Sequence, residues 1–338
     1  MREKLRGLDK HFSGRRVSPQ ELRHLQDSLL DESTLDRNYI VLIIGACIIA
    51  TLGLLSNSAA VIIGAMLIAP LMLPIRGVSF GILEGELELV REGLKALGVG
   101  TAIAIALASL LALSLRFPEY GGEVLARSQP TLLDLGIAVT AGGISGFAKV
   151  EPKLSSTLAG TAIAVALMPP VCVVGLGVAQ ANWPLSLGAL LLYLTNLIGI
   201  TLACMLAFLL AGYSPLKRAR RALEVTLAFT SLLVIPLGIN LFNLVRQNQL
   251  ETSLKQRLLR ETITFQRLRL IDTETNWQVN PPEVRLRVDA HDPVSPKQVR
   301  LVEDFIAQKM GRPFRLIFEF SQVQEVTSDQ PEKKNWQE

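Results

Sequence analysis

Seven apolar runs dominate the chain between Tyr39 and Val245, at residues 39–55, 59–75, 98–115, 132–149, 158–178, 187–211 and 225–245. Crossing the hydrocarbon core of a bilayer takes roughly 20 apolar residues, with about 17 to 25 tolerated. Repeated uncharged stretches of that length specify a polytopic membrane bundle whose first partner is the lipid bilayer. The charge distribution agrees. Only 19% of the 338 residues are charged, against about 25% in soluble domains. Nearly all of them fall before residue 39, between 76 and 95, between 214 and 224, and after 245. The first two runs are short, so they either cross at little tilt or form a helical hairpin that stops short of a full crossing.

Basic residues in short loops stay on the cytoplasmic side. With the N-terminus inside, seventeen Lys and Arg fall in cytoplasmic segments and only Arg116 and Arg127 in outer loops. Lys-Arg-Ala-Arg-Arg at 217–221 is the firmest anchor. The seventh run then carries the tail from Arg246 outward, and long tails translocate largely regardless of charge. The start of the chain, MREKLRGLDKHFSGRR, has no apolar core followed by a small-residue cleavage site, so no removable signal peptide is expected. Ser18-Pro19-Gln20-Glu21 has the form of a capping box and predicts a short cytoplasmic helix over 19–30. Between the second and third runs, Gly81 to Leu97 alternates Leu and Glu at helical spacing. This is either an interfacial amphipathic helix or an extension of the third span, and its glutamates read as a solvated face rather than a cation site.

The stretch LLSNSAAVIIGAMLIAPLMLPIRG (54–77) places polar and helix-breaking residues inside the apolar region. A proline in a helix interior costs ~3 kcal/mol or more, and lipid offers no water to the carbonyl it frees. Such breaks persist only where protein or a wet cavity satisfies the backbone. At an offset of one hundred residues, Ser56 lies over Ser156, Asn57 over Thr157, Pro70 over Pro170 and Gly77 over Gly177. Each half reads as a Gly-rich run, a hydroxyl-rich break, a Pro-interrupted run and a longer regular run. Three spans per unit reverse the second copy, giving a 3+3 inverted repeat plus one extra helix, and paired interrupted segments point to a midplane site. The expected substrate pathway comprises Ser56, Asn57, Ser58, Pro70 and Pro74 from the first half, and Ser155, Ser156, Thr157, Pro169, Pro170 and Asn196 from the second.

What the runs lack narrows the chemistry. None carries Asp, Glu, His, Lys or Arg near its middle, which argues against a buried-carboxylate proton carrier. No His-Glu-x-x-His, Gly-x-Ser-x-Gly or paired intramembrane Asp occurs, so no enzymatic activity is expected. Cys47, Cys172 and Cys204 sit inside apolar runs, while His11, His24 and His291 lie outside them. That pattern suggests neither metal nor other cofactor. A net charge of +4 without a basic, aromatic-interleaved stripe argues against nucleic acid.

After the last run, Leu250, Leu254 and Leu258 continue a helix, and the period then changes to two. Ile263, Phe265, Leu268 and Leu270 predict a strand with a bulge at Gln266-Arg267. Val284, Leu286 and Val288 predict a second strand, Ser295-Pro296 to Gly311 a helix, and Phe314 to Phe320 a last strand.

The run IATLGLLSNSAAVIIGAMLIAPLMLPIRG strongly resembles the core of the prokaryotic membrane-protein family called domain of unknown function 389, and ALMPPVCVVGLG resembles its second half-motif. The likeness covers about residues 35–215. It implies a multipass bacterial or archaeal membrane protein, with no established activity to carry over.

The expected organisation is therefore a cytoplasmic helical segment over 1–38 and a transmembrane domain over 39–245, with repeats at 39–115 and 132–211 and an extra helix at 225–245. A small extracytoplasmic α+β domain over 246–326 and a disordered tail over 327–338 follow. The expected location is the bacterial inner (plasma) membrane. The leading functional expectation is a homo-oligomeric channel or transporter for a small solute or ion. Two alternatives remain: a membrane-anchored sensor or assembly scaffold, and a lipid- or pigment-binding membrane protein.

Overall fold

The computed structural model describes residues 17–115, 120–151, 167–261, 269–276, 279, 281–289 and 295–320. The chain is mostly helical with one small sheet and divides into two compact units, Met1–Leu241 and Phe242–Glu338. Its described helices are α1 (Pro19–Ser33), α2 (Arg37–Leu55), α3 (Ala59–Ile68), α4 (Met72–Glu84), α5 (Leu87–Leu115), α6 (Gly122–Ala126), α7 (Leu132–Val150), α8 (Met168–Ala179), α9 (Trp183–Leu210), α10 (Leu216–Glu261) and α11 (Pro296–Met310). Among the described residues, five helices are long and apolar enough to cross a membrane: α2, α5, α7, α9 and the Ala219–Lys255 part of α10. The pair α3–α4 makes a sixth if its bend of 53° is taken as one broken span. The fifth apolar run is described only from Leu167 onward, and α8 at 12 residues is too short to cross alone.

Helix starts follow the local chemistry. At α1 the Ser18 hydroxyl accepts from Glu21 N at 3.2 Å, while Ser18 N donates to the Glu21 carboxylate at 2.9 Å, which satisfies two donors that would otherwise be orphaned. Asp36 accepts from Tyr39 N to open α2, and Thr131 with Asp134 forms a second capping box at α7. Leu87 to Leu97 is continuous with α5, so this segment is an extension of the third span.

Four corners turn by one device, a six-to-one backbone bond closing over a residue with positive φ. Ser58 N donates to Gly53 O over Asn57 (φ 52), and Glu86 N to Gly81 O over Gly85 (φ 76). Asn182 N donates to Gly177 O over Ala181 (φ 53), and Tyr213 N to Phe208 O over Gly212 (φ 82). The α4–α5 and α8–α9 corners correspond residue for residue at a spacing of 96: Gly81 with Gly177, Gly85 with Ala181, Glu86 with Asn182, Val90 with Ser186. A Cβ on Gly81 would lie 3.0 Å from both Glu86 O and Val90 N, and one on Gly177 would lie 3.0 Å from Asn182 O and Ser186 N.

Within this unit α2 packs on α5 and α7 on α9, while α4 packs on α5 and α8 on α9. Across the halves, α4 packs on α9 and α8 on α5. Helix α7 approaches α9 through glycine: Cβ atoms on Gly142 and Gly146 would meet Ile200, Ala203, Cys204 and Ala207, the small-residue contact of membrane helices. Phe80 and Phe208 stack edge to face, centroids 5.2 Å apart, at the α4–α9 crossing.

In the second unit the strands β1 (Arg269–Asn276), β2 (Glu283–Asp289) and β3 (Arg315–Phe320) form a sheet of order β1-β2-β3. β1 and β2 are antiparallel, β2 and β3 parallel across α11. One face buries Val284, Leu286, Val288 and Leu316 with Val302, Ile306, Leu254 and Leu258. Arg285, Arg287 and Glu319 pair across the other face at 3.5 and 3.9 Å. A register shift lies between Leu270 and Asp272; the bulge expected at Gln266-Arg267 falls outside the described residues. Gly311 ends α11 at φ 69, as the sequence leads one to expect.

Candidate functional site: two broken helices and a charge cluster

The first break follows from proline chemistry. A residue before proline avoids the helical region, and Ala69 is extended, with ψ 121. Pro70 has no N–H, the chain turns through Leu71, and α4 restarts with Leu73 N donating to Pro70 O at 3.1 Å. Pro74 occupies the third position of α4, where a missing N–H costs nothing. Pro70 and Pro74 are both buried. With α3 ten residues long, a rise of about 1.5 Å per residue sets this break roughly 15 Å from the Asn57 turn, half a hydrocarbon core.

Ser56, Asn57 and Ser58 form the α2–α3 corner, apart from the Pro70 break. Ser56 Oγ donates to Gly53 O at 3.3 Å, and Ser58 caps α3 without a side-chain bond. Asn57 supplies the positive φ, and its side-chain oxygen accepts from Glu123 N at 2.9 Å, clamping the start of α6. Asn57→Ala should cost about 2 kcal/mol, combining the lost cap with alanine in a left-handed conformation. Asn57→Gly should cost only about half as much, because glycine keeps the turn. Thermal unfolding of the two purified variants checks this, and equal losses would dismiss the conformational part.

In the second half, Pro169 and Pro170 stand in the first turn of α8, with Leu167 at its cap. Every residue from Met168 to Gly177 is buried. The two prolines remove two of the N–H groups that a helix start exposes, as Pro74 removes one in α4. Ser155, Ser156 and Thr157 lie outside the described residues. Asn196 and its neighbour Thr195 are buried in α9, and one turn earlier Tyr193 OH bonds Thr101 Oγ1 at 2.8 Å. Cys47 on α2 and Cys172 on α8 bring their sulfurs to 3.7 Å, with Cys47 Sγ donating to Ala104 O on α5. Tyr120, before α6, donates to Leu176 O at 2.8 Å, and burial pushes its phenol up to about 12.

A feature absent from the sequence reading is a charge cluster around Glu32 of α1. Its carboxylate accepts from Arg76 of α4 at 3.1 Å and from Lys149 of α7 at 2.6 Å, and Lys149 also donates to Ser28. The Arg76 and Lys149 side chains are 16% and 10% exposed. Arg76 and Lys149 come from different halves of the bundle, so Glu32 ties α1 to both. The sequence signals were Ser28 and Glu32 one turn apart on α1, and a lysine ending a run whose other charge, Asp134, sits at its opposite end.

Together these features define a helical membrane protein with a helix pair bent at Pro70 and a second, proline-led short helix. Residues 66–202 match the family model described as Domain of unknown function (DUF389), the family that the IGAMLIAPLM phrase resembles. The chain is also 29% identical over 217 residues to the uncharacterised protein MJ0678 of Methanocaldococcus jannaschii, covering 64% of this chain and 67% of that protein. No solved structure matches.

Proposed function

We propose that the protein is a channel or transporter for a small solute or ion, built from two inverted repeats whose half-helices α4 and α8 meet the passage. The observation that carries this reading is the exchange symmetry of the bundle. Swapping the halves turns the α4–α9 contact into the α8–α5 contact, and the corner after α4 into the corner after α8. A spacing of 96 fits these corners, in place of the offset of one hundred drawn from Pro70 and Pro170. The contacts also support the opposite direction of the copies. The α4–α5 corner lies on the side of α1, since α4 packs on α1. The α8–α9 corner lies on the side of Tyr120 and Ser128, which reach Leu176 and Gly188. Arg76 and Lys149 gather with α1, which favours that side as cytoplasmic.

Both half-helices begin, rather than end, at the interior, turning the positive end of the peptide dipole inward. Flux assays should therefore start with anions. Liposomes holding the purified full chain are expected to release a small anion or neutral osmolyte faster than empty liposomes. Pro70→Ala combined with Pro170→Ala should change that rate severalfold while the protein stays monodisperse. Silence across inorganic ions and small osmolytes, from protein shown to be folded, would overturn the proposal.

A further inference from the structure

A groove of about 680 Å³ opens between α4, α5, α9 and α10, lined by Val78, Leu83, Leu97, Leu197, Val225 and Phe229 among other apolar side chains. That size is typical of small-molecule sites, but the wall is unusual in what it withholds. Its hydroxyls are already spent: Thr201 Oγ1 donates to Leu197 O at 2.7 Å, and Thr226 Oγ1 to Ala222 O at 3.0 Å. A solute that needs donors would find none free on these hydroxyls, whereas an alkyl chain needs no partner at all.

The rim differs. Arg221 lines the groove at the start of α10, is exposed, and makes no ion pair among the described residues. Its neighbour Arg220 is held by Glu224 at 2.8 Å. Ala222, Val225, Thr226 and Phe229 follow at helical spacing, so one face of α10 presents a cation and then an apolar stripe. The groove lies beside Gly85 at the α4–α5 corner, the side on which Arg76 and Lys149 gather. A basic pocket between membrane helices at that level suits the headgroup of an anionic lipid.

We propose that this groove holds one acyl chain of an anionic phospholipid, with Arg221 on its phosphate-bearing headgroup. The occupant is a lipid and not a second copy of the chain because the groove runs from Arg221, which makes no ion pair among the described residues, into an apolar trough, the order of charge and hydrocarbon in a phospholipid. This inference does not depend on transport; a scaffold would bind the same lipid.

The test is native mass spectrometry of the full chain, purified in detergent and supplied separately with phosphatidylglycerol, phosphatidylcholine or inorganic phosphate. Near-stoichiometric retention of phosphatidylglycerol over phosphatidylcholine is expected. Arg221→Gln should lower that retention about fivefold, the share of one basic residue near a membrane surface, and Arg221→Lys should restore most of it. Ala222→Phe, which fills the trough, should lower retention of both lipids. Both Arg221 variants alter an exposed side chain, so folding is not at issue. Equal retention of the two lipids, no retention, protection by inorganic phosphate alone, or Val225→Cys cross-linking chain to chain in place of lipid binding would each overturn the proposal.

Discussion

Replacing Gly142 with leucine is expected to destabilise the bundle by about 3 kcal/mol, the upper end of overpacking penalties. A Cβ there would lie 2.7 Å from both Cα and O of Ile200. These are backbone atoms of α9, so no rotamer change relieves the clash and the two helices must part. Their separation would also stretch the bond from Cys204 Sγ to Gly142 O, now 3.2 Å. The control sits next door. A Cβ on Gly143 meets nothing within 4 Å, so Gly143→Leu should stay within about 0.5 kcal/mol of the parent. Thermal unfolding of the purified variants reads the difference, and similar midpoints for both would show that α7 and α9 are not in close contact.

The second large effect should come from Glu32→Gln, at about 3 kcal/mol. Removing one partner from a buried ion pair leaves an uncompensated charge, which typically costs about 3–5 kcal/mol. Here the loss strands both Lys149 and Arg76, and the low end applies because Glu32 is 28% exposed. Lys149→Gln made on top of Glu32→Gln should cost almost nothing more, since its partner is already gone. Additive losses in that double-mutant cycle, or a neutral Glu32→Gln, would reduce the cluster to an ordinary surface pair. Cleavage by added protease between α1 and α2 should rise in Glu32→Gln, because α1 is pressed against α4 where Gly77 meets Ser33.

Local chemistry was legible in the sequence wherever one residue type dictates a conformation. Ser18 with Glu21, Ser295 with Pro296, and Gly311 mark helix ends that the structure places there. Pro70 marked a real interruption because a missing N–H acts on its own backbone. The hydroxyl-rich stretch 56–58 was harder to assign, since a tight corner and a cavity-facing break draw on the same residues; only Glu123, 66 positions away, separates them for Asn57. The likeness of the two corners was not legible, because Gly and Pro recur often enough to match at several offsets. Their geometry resides in backbone bonds that Ala181 serves as well as Gly85. The Glu32 cluster joins residues up to 117 positions apart, beyond any periodicity. The strand expected over 263–270 lies mostly outside the described residues, and the later part of β1 was not legible because after Ile271 it reads Asp-Thr-Glu-Thr-Asn, with no apolar alternation to announce it.

The burial of Met168 to Gly177 bears on how the chain is assembled. These ten consecutive residues of α8 leave no side for acyl chains. Their surroundings come from α2 and α5, made before them, and from α9, made after them. The cover over this stretch is therefore complete only once α9 has been made.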